Sequence, residues 1–230
     1  MIGPQDLEFD VERFSGRARL FPLPGTVLFP HVMQPLHIFE PRYCDLLRDA
    51  LDTDRLIAMA VLQPGWERDY EARPPIYPVV CLAKITSHQS QPDGRHNVLL
   101  LGVRRARVLR EAPAERSFRV ADVELLEDVY PAAGAATRAA RQQWLVGQFQ
   151  RLMPKEMPDP LEKLLTSDLP LGALTDVIGY AAELGFPLKQ RLLAEPDVDA
   201  RAALLTQHFS SQPTPAVDAE QVFPPQFSPN

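Results

Sequence analysis

Cysteine is scarce in this chain: its 230 residues contain Cys44 and Cys81 and no others. One falls in a helical pattern and the other in an apolar strand pattern, which fits buried, reduced thiols and leaves no material for a disulfide framework. Histidine is nearly as sparse. The five, at positions 31, 37, 88, 96 and 208, have no cysteine or carboxylate partners at metal-ligand spacing, so no metal site is expected. A Gly-x-x-x-x-Gly-Lys-Ser/Thr loop is absent, and so is a Gly-x-Ser-x-Gly elbow. Neither a nucleotide cradle nor an activated serine is therefore expected.

Long apolar runs are missing too. One of the longest, Leu56 to Leu62, falls far short of the roughly 18 residues needed to cross a bilayer. Met1 to Asp10 lack the basic start and apolar stretch of a signal peptide, so a cytoplasmic location is expected. Positive charge is in deficit, with 24 Lys and Arg against 30 Asp and Glu and a net charge of -6. Such a chain has no general attraction for phosphate backbones or anionic membranes. These absences point to a protein without catalysis, cofactor or metal.

What is present is enough apolar residue, 45% of the chain, to bury a real core. Prolines at 22, 24, 30, 35 and 41 break Leu20 to Pro41 into short extended pieces. Pro41 then stands where a helix can begin, and Tyr43, Leu46, Leu47, Ala50 and Leu51 follow at the spacing of one apolar helical face, ending near Asp52 to Asp54. Leu56 to Leu62 reads as a strand buried on both faces. Gln63 to Pro75 is a long polar loop carrying Trp66 and Tyr70. Tyr77 to Ile85 and Asn97 to Leu101 are strand-like, joined by a tight reversal at Gln91 to Arg95. Arg105 to Leu109 and Phe118 to Leu126 suggest a further strand pair around Pro113.

After Pro131 the composition turns to Ala, Leu, Gln and Arg, with successive helical patterns. Trp144, Leu145, Gln148, Phe149 and Leu152 mark the first, Leu161 to Leu165 a short one, and Leu171, Leu174, Ile178, Ala181 and Ala182 a third. Pro187 opens a fourth over Leu188 to Leu193. Val198, Ala202, Leu205 and Phe209 stripe the last. From Ser211 a Pro-, Gln- and Ser-rich stretch reads as a flexible tail. The expected division is a β-rich part over 1–130, a helical bundle over 131–210 and a tail over 211–230.

The motif order Leu20-Phe21-Pro22-Leu23, Val27-Leu28-Phe29-Pro30, then Pro35-Leu36-His37-Ile38-Phe39-Glu40-Pro41-Arg42-Tyr43 resembles the opening of the N-terminal substrate-recognition domain of Lon-type proteases. The likeness continues through Leu56 to Leu62, Ala83-Lys84-Ile85, Asp93-Gly94-Arg95, Leu101-Gly102 with Arg105 and Arg107, and Ala121-Asp122-Val123-Glu124. It covers the first 130 residues closely and the helical half more loosely, through Lys189 to Leu193, Asp197-Val198 and Arg201. His31 stands where that family usually has glycine. The resemblance implies an α+β fold: a PUA-like β pseudo-barrel with a packed helix, followed by a C-terminal helical bundle. It also implies a stand-alone relative, since the ATPase and the Ser-Lys peptidase of Lon have no counterpart motifs here. The expected partners are unfolded or partly folded proteins and a protease that receives them, with neither membrane nor nucleic acid among them.

Residues matching the family pattern, namely Pro22, Phe29, Pro30, Phe39, Glu40, Arg42, Tyr43, Asp93, Gly94, Gly102 and Arg105, read as structural. Phe29, Ile38, Phe39 and Tyr43 are expected in the core. Glu40 is expected to cap the helix after it with its carboxylate. Asp93 and Gly94 supply turn chemistry. For protein binding the candidates are Trp66, Tyr70, Met33 and Met59, adaptable or aromatic side chains suited to varied partners. Two rivals come from other classes. Arg104, Arg105, Arg107 and Arg110 form a basic cluster, and PUA-like folds include RNA binders. Strand alternation splits these arginines between faces, however, and aromatics to stack bases are few beside them. The other rival is a domain that binds one defined partner through its helical half and tail.

Overall fold

The computed structural model describes residues 9–70, 72–152 and 169–211. Six strands form one sheet: β1 (Arg17–Leu23), β2 (Met33–Ile38), β3 (Leu56–Val61), β4 (Val79–Ser90), β5 (His96–Glu111) and β6 (Arg119–Leu126). Helix α1 (Pro41–Leu51) lies between β2 and β3. After β6 come α2 (Arg138–Leu152), α3 (Leu171–Ala181), α4 (Phe186–Ala194) and α5 (Val198–Ser211). The strand order is β2-β5-β4-β3-β1-β6, with β5 also pairing β6. That last pairing closes β1, β3, β4, β5 and β6 into a barrel and leaves β2 outside it, bonded to β5 alone. The β1–β3 pair is parallel and the others are antiparallel.

Strand alternation builds two cores from one sheet. Leu20, Leu56, Ala58, Ala60, Val80, Leu82, Ala106, Ala121 and Val123 make one cluster, rich in small side chains as a narrow barrel interior requires. The opposite parity, Phe21, Ile57, Met59, Val61, Cys81, Ala83 and Ile85, joins a larger cluster with Leu46 and Leu47 of α1 and Phe149, Ile178, Leu192 and Phe209 of the later helices. β3 is buried at every position, so its unbroken apolar run has a cause on each side. The segments expected as separate strands around 97–101 and 105–109 are one strand, β5. It serves β2 with its first half and β6 with its second.

Gly102 on β5 is where the chain before β2 crosses. His31 N–H donates to the Gly102 carbonyl at 2.8 Å and Gly102 N–H to the Val32 carbonyl at 2.9 Å. A Cβ there would lie 2.0 Å from the Phe29 carbonyl oxygen. His31 itself takes a φ of 65°, in the left-handed region that glycine enters without steric cost. Gly94, with φ 82°, and Asp93, whose Oδ1 accepts the Arg95 N–H at 3.1 Å, form the tip of the β4–β5 hairpin.

Expectations for Glu40, Phe39 and Cys44 also change. Glu40 occupies the N-cap of α1 but makes no side-chain capping bond; its carboxylate is drawn away by Arg42 and Tyr70. Phe39 is 61% exposed, because Leu36 and Ile38 take the inward parity of β2 and leave the odd positions outside. Cys44 is half-exposed, with Cys81 buried and both thiols free. The expected short helix at 161–165 and the tail from residue 212 lie outside the described residues.

Candidate functional site

The outer face of β2 is the first candidate. Met33, Pro35 and His37 are exposed in alternation with Gln34, Leu36 and Ile38, and Phe39 continues the row. Met33 is 49% exposed. Across the register, Met33 faces Leu101, Pro35 faces Leu99 and His37 faces Asn97, which places two half-buried leucines beside the strip. The His37 Nδ1 lies 2.8 Å from Asn97 Oδ1 and its ring leans on Phe39, centroids 6.0 Å apart. The strip is thus an apolar row on an edge strand, with a proline that discourages open-ended strand pairing.

Met59, expected at such a surface, is 1% exposed in the larger core. Both faces of β3 are covered, so its sequence carries no parity signal to tell the two apart. Conversely, the even inward residues of β2 were a signal for Phe39. The alternation of Leu36 and Ile38 already put residue 39 outside, and the apolar character of Phe39 hid it.

Trp66 and Tyr70 do come together. They follow β3, and both are half-exposed, with rings edge-to-face at 5.4 Å between centroids. Tyr70 is held rather than free: its hydroxyl donates to Glu40 Oε1 at 2.7 Å and its carbonyl accepts from Arg42 Nη1 at 3.1 Å. Arg42 in turn donates to Glu40 Oε2 through Nη2 at 2.8 Å. Its guanidinium stands 4.5 Å from the Tyr70 ring centroid and 4.8 Å from that of Tyr43. Burial, then the Glu40 carboxylate, push the Tyr70 hydroxyl above its ordinary value. The Tyr43 hydroxyl donates to the Pro22 carbonyl at 3.2 Å, so Pro22, Glu40, Arg42 and Tyr43 of the family motif are bound to one another.

The arginine cluster disperses. Arg107 pairs with Glu124 at 3.1 Å and Arg110 with Asp122 at 2.9 Å, both on the surface. Arg104 donates to the Val103 carbonyl. Arg105, 2% exposed, turns to the helices. It donates to the Leu193 carbonyl at 3.1 Å and to Asp176 Oδ2 at 3.0 Å. Arg201 of α5 clamps Asp128 with Nη1 at 2.7 Å and Nη2 at 2.6 Å, and takes Thr175 Oγ1 at 3.1 Å through Nε. Burial would raise the Asp128 carboxyl, but Arg201 and Arg105 hold it below the usual carboxylate range. These contacts join the β5 surface to the helices by charge as well as by apolar packing. Their partners lie far apart in the sequence, where no local pattern links them.

At the other end of the sheet His88 Nε2 and His96 Nδ1 approach to 3.0 Å. Burial, then the charge of His96, lower the His88 pKa. Among the described residues there is no group of three or more His, Cys, Asp or Glu side chains placed to hold a metal ion, and no helix is long and apolar enough to cross a membrane.

The family model for the ATP-dependent protease La (LON) substrate-binding domain matches residues 17–211. The chain belongs to this family. It is 28% identical over 191 residues to the Lon protease of Heliobacterium modesticaldum, covering 82% of this chain and 23% of that protein. To the Lon protease of Escherichia coli strain K12 it is 28% identical over 196 residues, covering 84% and 24%. The chain thus spans about a quarter of the length of those relatives. Among solved structures, the Lon N-terminal domain protein from Xanthomonas campestris superposes with a TM-score of 0.60 at 23% identity, over 86% of this chain and 99% of that one. The N-terminal domain of the Mycobacterium avium complex Lon protease does so with a TM-score of 0.65 at 20% identity, over 85% and 98%. The fold of the Lon N-terminal domain is therefore the fold of this chain, and the module it forms is a Lon-like substrate-recognition module.

Proposed function

We propose that this protein is a non-catalytic cytoplasmic module that holds exposed hydrophobic segments of unfolded or partly folded proteins, acting as a holder or as an adaptor to a protease. The observation that carries this reading is the row Met33, Pro35, His37 and Phe39, in which the large apolar side chains of Met33 and Phe39 stand in water. An exposed apolar row with a polar edge suits a partner whose side chains vary, because dispersion and apolar burial are indifferent to sequence. Membership of a substrate-binding family supports the same assignment. Nucleic acid fits less well, since the exposed arginines of β5 already have carboxylate partners.

The test is fluorescence anisotropy of a labelled, permanently unfolded polypeptide titrated with the protein, beside a labelled single-stranded RNA, at two salt concentrations. Saturable polypeptide binding that survives salt is expected, weakened roughly tenfold by Met33→Ser with Phe39→Ser. Binding to RNA alone, fading as salt rises, would overturn the reading.

A further inference from the structure

A concavity lies between α1, the loop after β3 and the segment leading into β6. It is a cleft of about 490 Å³, within the size range of small-molecule sites. Four arginines line it, Arg42, Arg73, Arg116 and Arg119, and no carboxylate does among the described residues. In a chain of net charge -6 that segregation is specific. The acids that balance these arginines stand behind them: Glu40 beside Arg42, Asp49 beside Arg116, and Glu111 beside both Arg73 and Arg119.

The pairing is uneven. Arg42 has a carboxylate to itself. Arg116 shares Asp49 with Arg19, and Arg19 also reaches Asp54, so those two cations have two anions. Among the described residues Arg73 and Arg119 have Glu111 alone, with Arg73 as far as 4.0 Å from it. Counted over those ion pairs, one positive charge is left over at that wall. Donors are left over as well. Arg119 uses Nε and Nη2 on Glu111 and Nη1 on the Pro74 carbonyl. Arg73 bonds only through Nη1, to the Ala112 carbonyl at 2.9 Å, and Arg116 only through Nη1, to Asp49. The remaining guanidinium edges of both have no hydrogen-bond partner among the described residues. Between them the walls are apolar, from Pro22, Tyr43, Leu62, Pro74 and Phe118.

We propose that this cleft binds a monoanionic carboxylate carried on an apolar body, with Arg73 and Arg116 as its ligands and the Tyr43–Phe118 wall receiving the body. A guanidinium edge matches the two oxygens of a carboxylate in spacing and plane. A single surplus charge is neutralised by a monoanion, whereas a phosphate dianion would overshoot it. Such a group occurs on a free organic acid and at the end of a polypeptide whose last residue is apolar. The proposal is independent of the β2 row, since no residue is shared.

Calorimetric titration of the full chain with hydrocinnamate and with N-acetyl-Ala-Ala-Phe tests it, each acid set against its amide. Both acids are expected to bind saturably and both amides to fail. Arg73→Gln and Arg116→Gln should each weaken the acids roughly tenfold, while Arg191→Gln, on α4 and outside the cleft lining, leaves them unchanged. Arg116 is half-exposed, so its variant keeps the fold if Arg73→Gln does not. Tighter binding of the peptide acid assigns the cleft to a chain end, and tighter binding of hydrocinnamate assigns it to a free acid; each supports the site. Equal binding of acids and amides, no binding by either acid, or phenyl phosphate binding tenfold tighter than both would overturn it.

Discussion

The Arg105 guanidinium on β5 meets the Asp176 carboxylate on α3 as a two-pronged pair, with both side chains withdrawn from solvent. Removing Asp176 leaves the buried Arg105 with only the longer ion pair to Asp128, at 3.4 Å, in a medium that solvates charge poorly. Asp176→Ala should therefore lower the unfolding free energy by about 3–5 kcal/mol in urea titrations, whereas replacing both residues with apolar ones of similar volume should cost distinctly less. Equal losses from the single and double changes would contradict this account.

Met59 and Phe39 should exchange the roles that their residue types suggest. Met59→Ala leaves a hole in the larger core and is expected to cost about 2–5 kcal/mol. Phe39→Ser removes no buried contact, so its stability should stay within about 0.5 kcal/mol of the parent. Thermal and urea unfolding of the two variants, run beside polypeptide-binding titrations, separate the two effects: the first variant loses stability and the second loses binding.

Much of the fold was legible because periodicity is a local signal. The α1 face of Tyr43, Leu46, Leu47 and Ala50 and the α5 stripe of Val198, Ala202, Leu205 and Phe209 are buried as their spacing requires. The unity of β5 was not legible, because Gly102 to Arg104 stood as a gap between the strand patterns at 97–101 and 105–109, and the close approach of the Phe29 carbonyl that demands Gly102 is a long-range contact. The candidate surfaces were half legible. Met33 and the Trp66–Tyr70 pair stand at or near the surface, but the arginine cleft draws on α1, a loop and the approach to β6, and only folding brings those together.

Gly102→Ala should be among the most damaging single-methyl additions. The new carbon would meet a backbone carbonyl rather than a movable side chain, and a loss of about 1–3 kcal/mol or more is expected from denaturant titration. His31→Gly should act in the opposite direction by relieving the left-handed backbone, raising stability by up to about 1 kcal/mol.

The His88–His96 pair gives the protein an acid-sensitive element. The folded pKa of His88 is depressed by burial and by the neighbouring His96, so the unfolded chain takes up a proton there more readily. The resulting stability is fully present above the ordinary histidine value of about 6.5 and is lost as pH falls through it toward the lower folded value. Urea midpoints at about pH 8 and about pH 5.5 should differ less in His88→Gln than in the parent. An unchanged difference would remove His88 from the explanation.

The closure of the barrel by β1 and β6 also has a consequence in time. Leu20 has Arg119 as its register partner, roughly a hundred residues later, on the order of 5–20 s of ribosomal synthesis. Until then β1 has β3 but no second neighbour, and the later half of β5 waits for β6. The nascent chain therefore carries the open edge of β1 through about half of its synthesis and that of the later β5 for a short stretch, and both are sealed together when residues 119–126 arrive. Completion of the barrel joins strands far apart in the sequence, and pairings of that kind form slowly because the loop must be closed first. A chain interrupted before Arg119 would be left with the sticky edges of the very substrates the finished domain is proposed to hold.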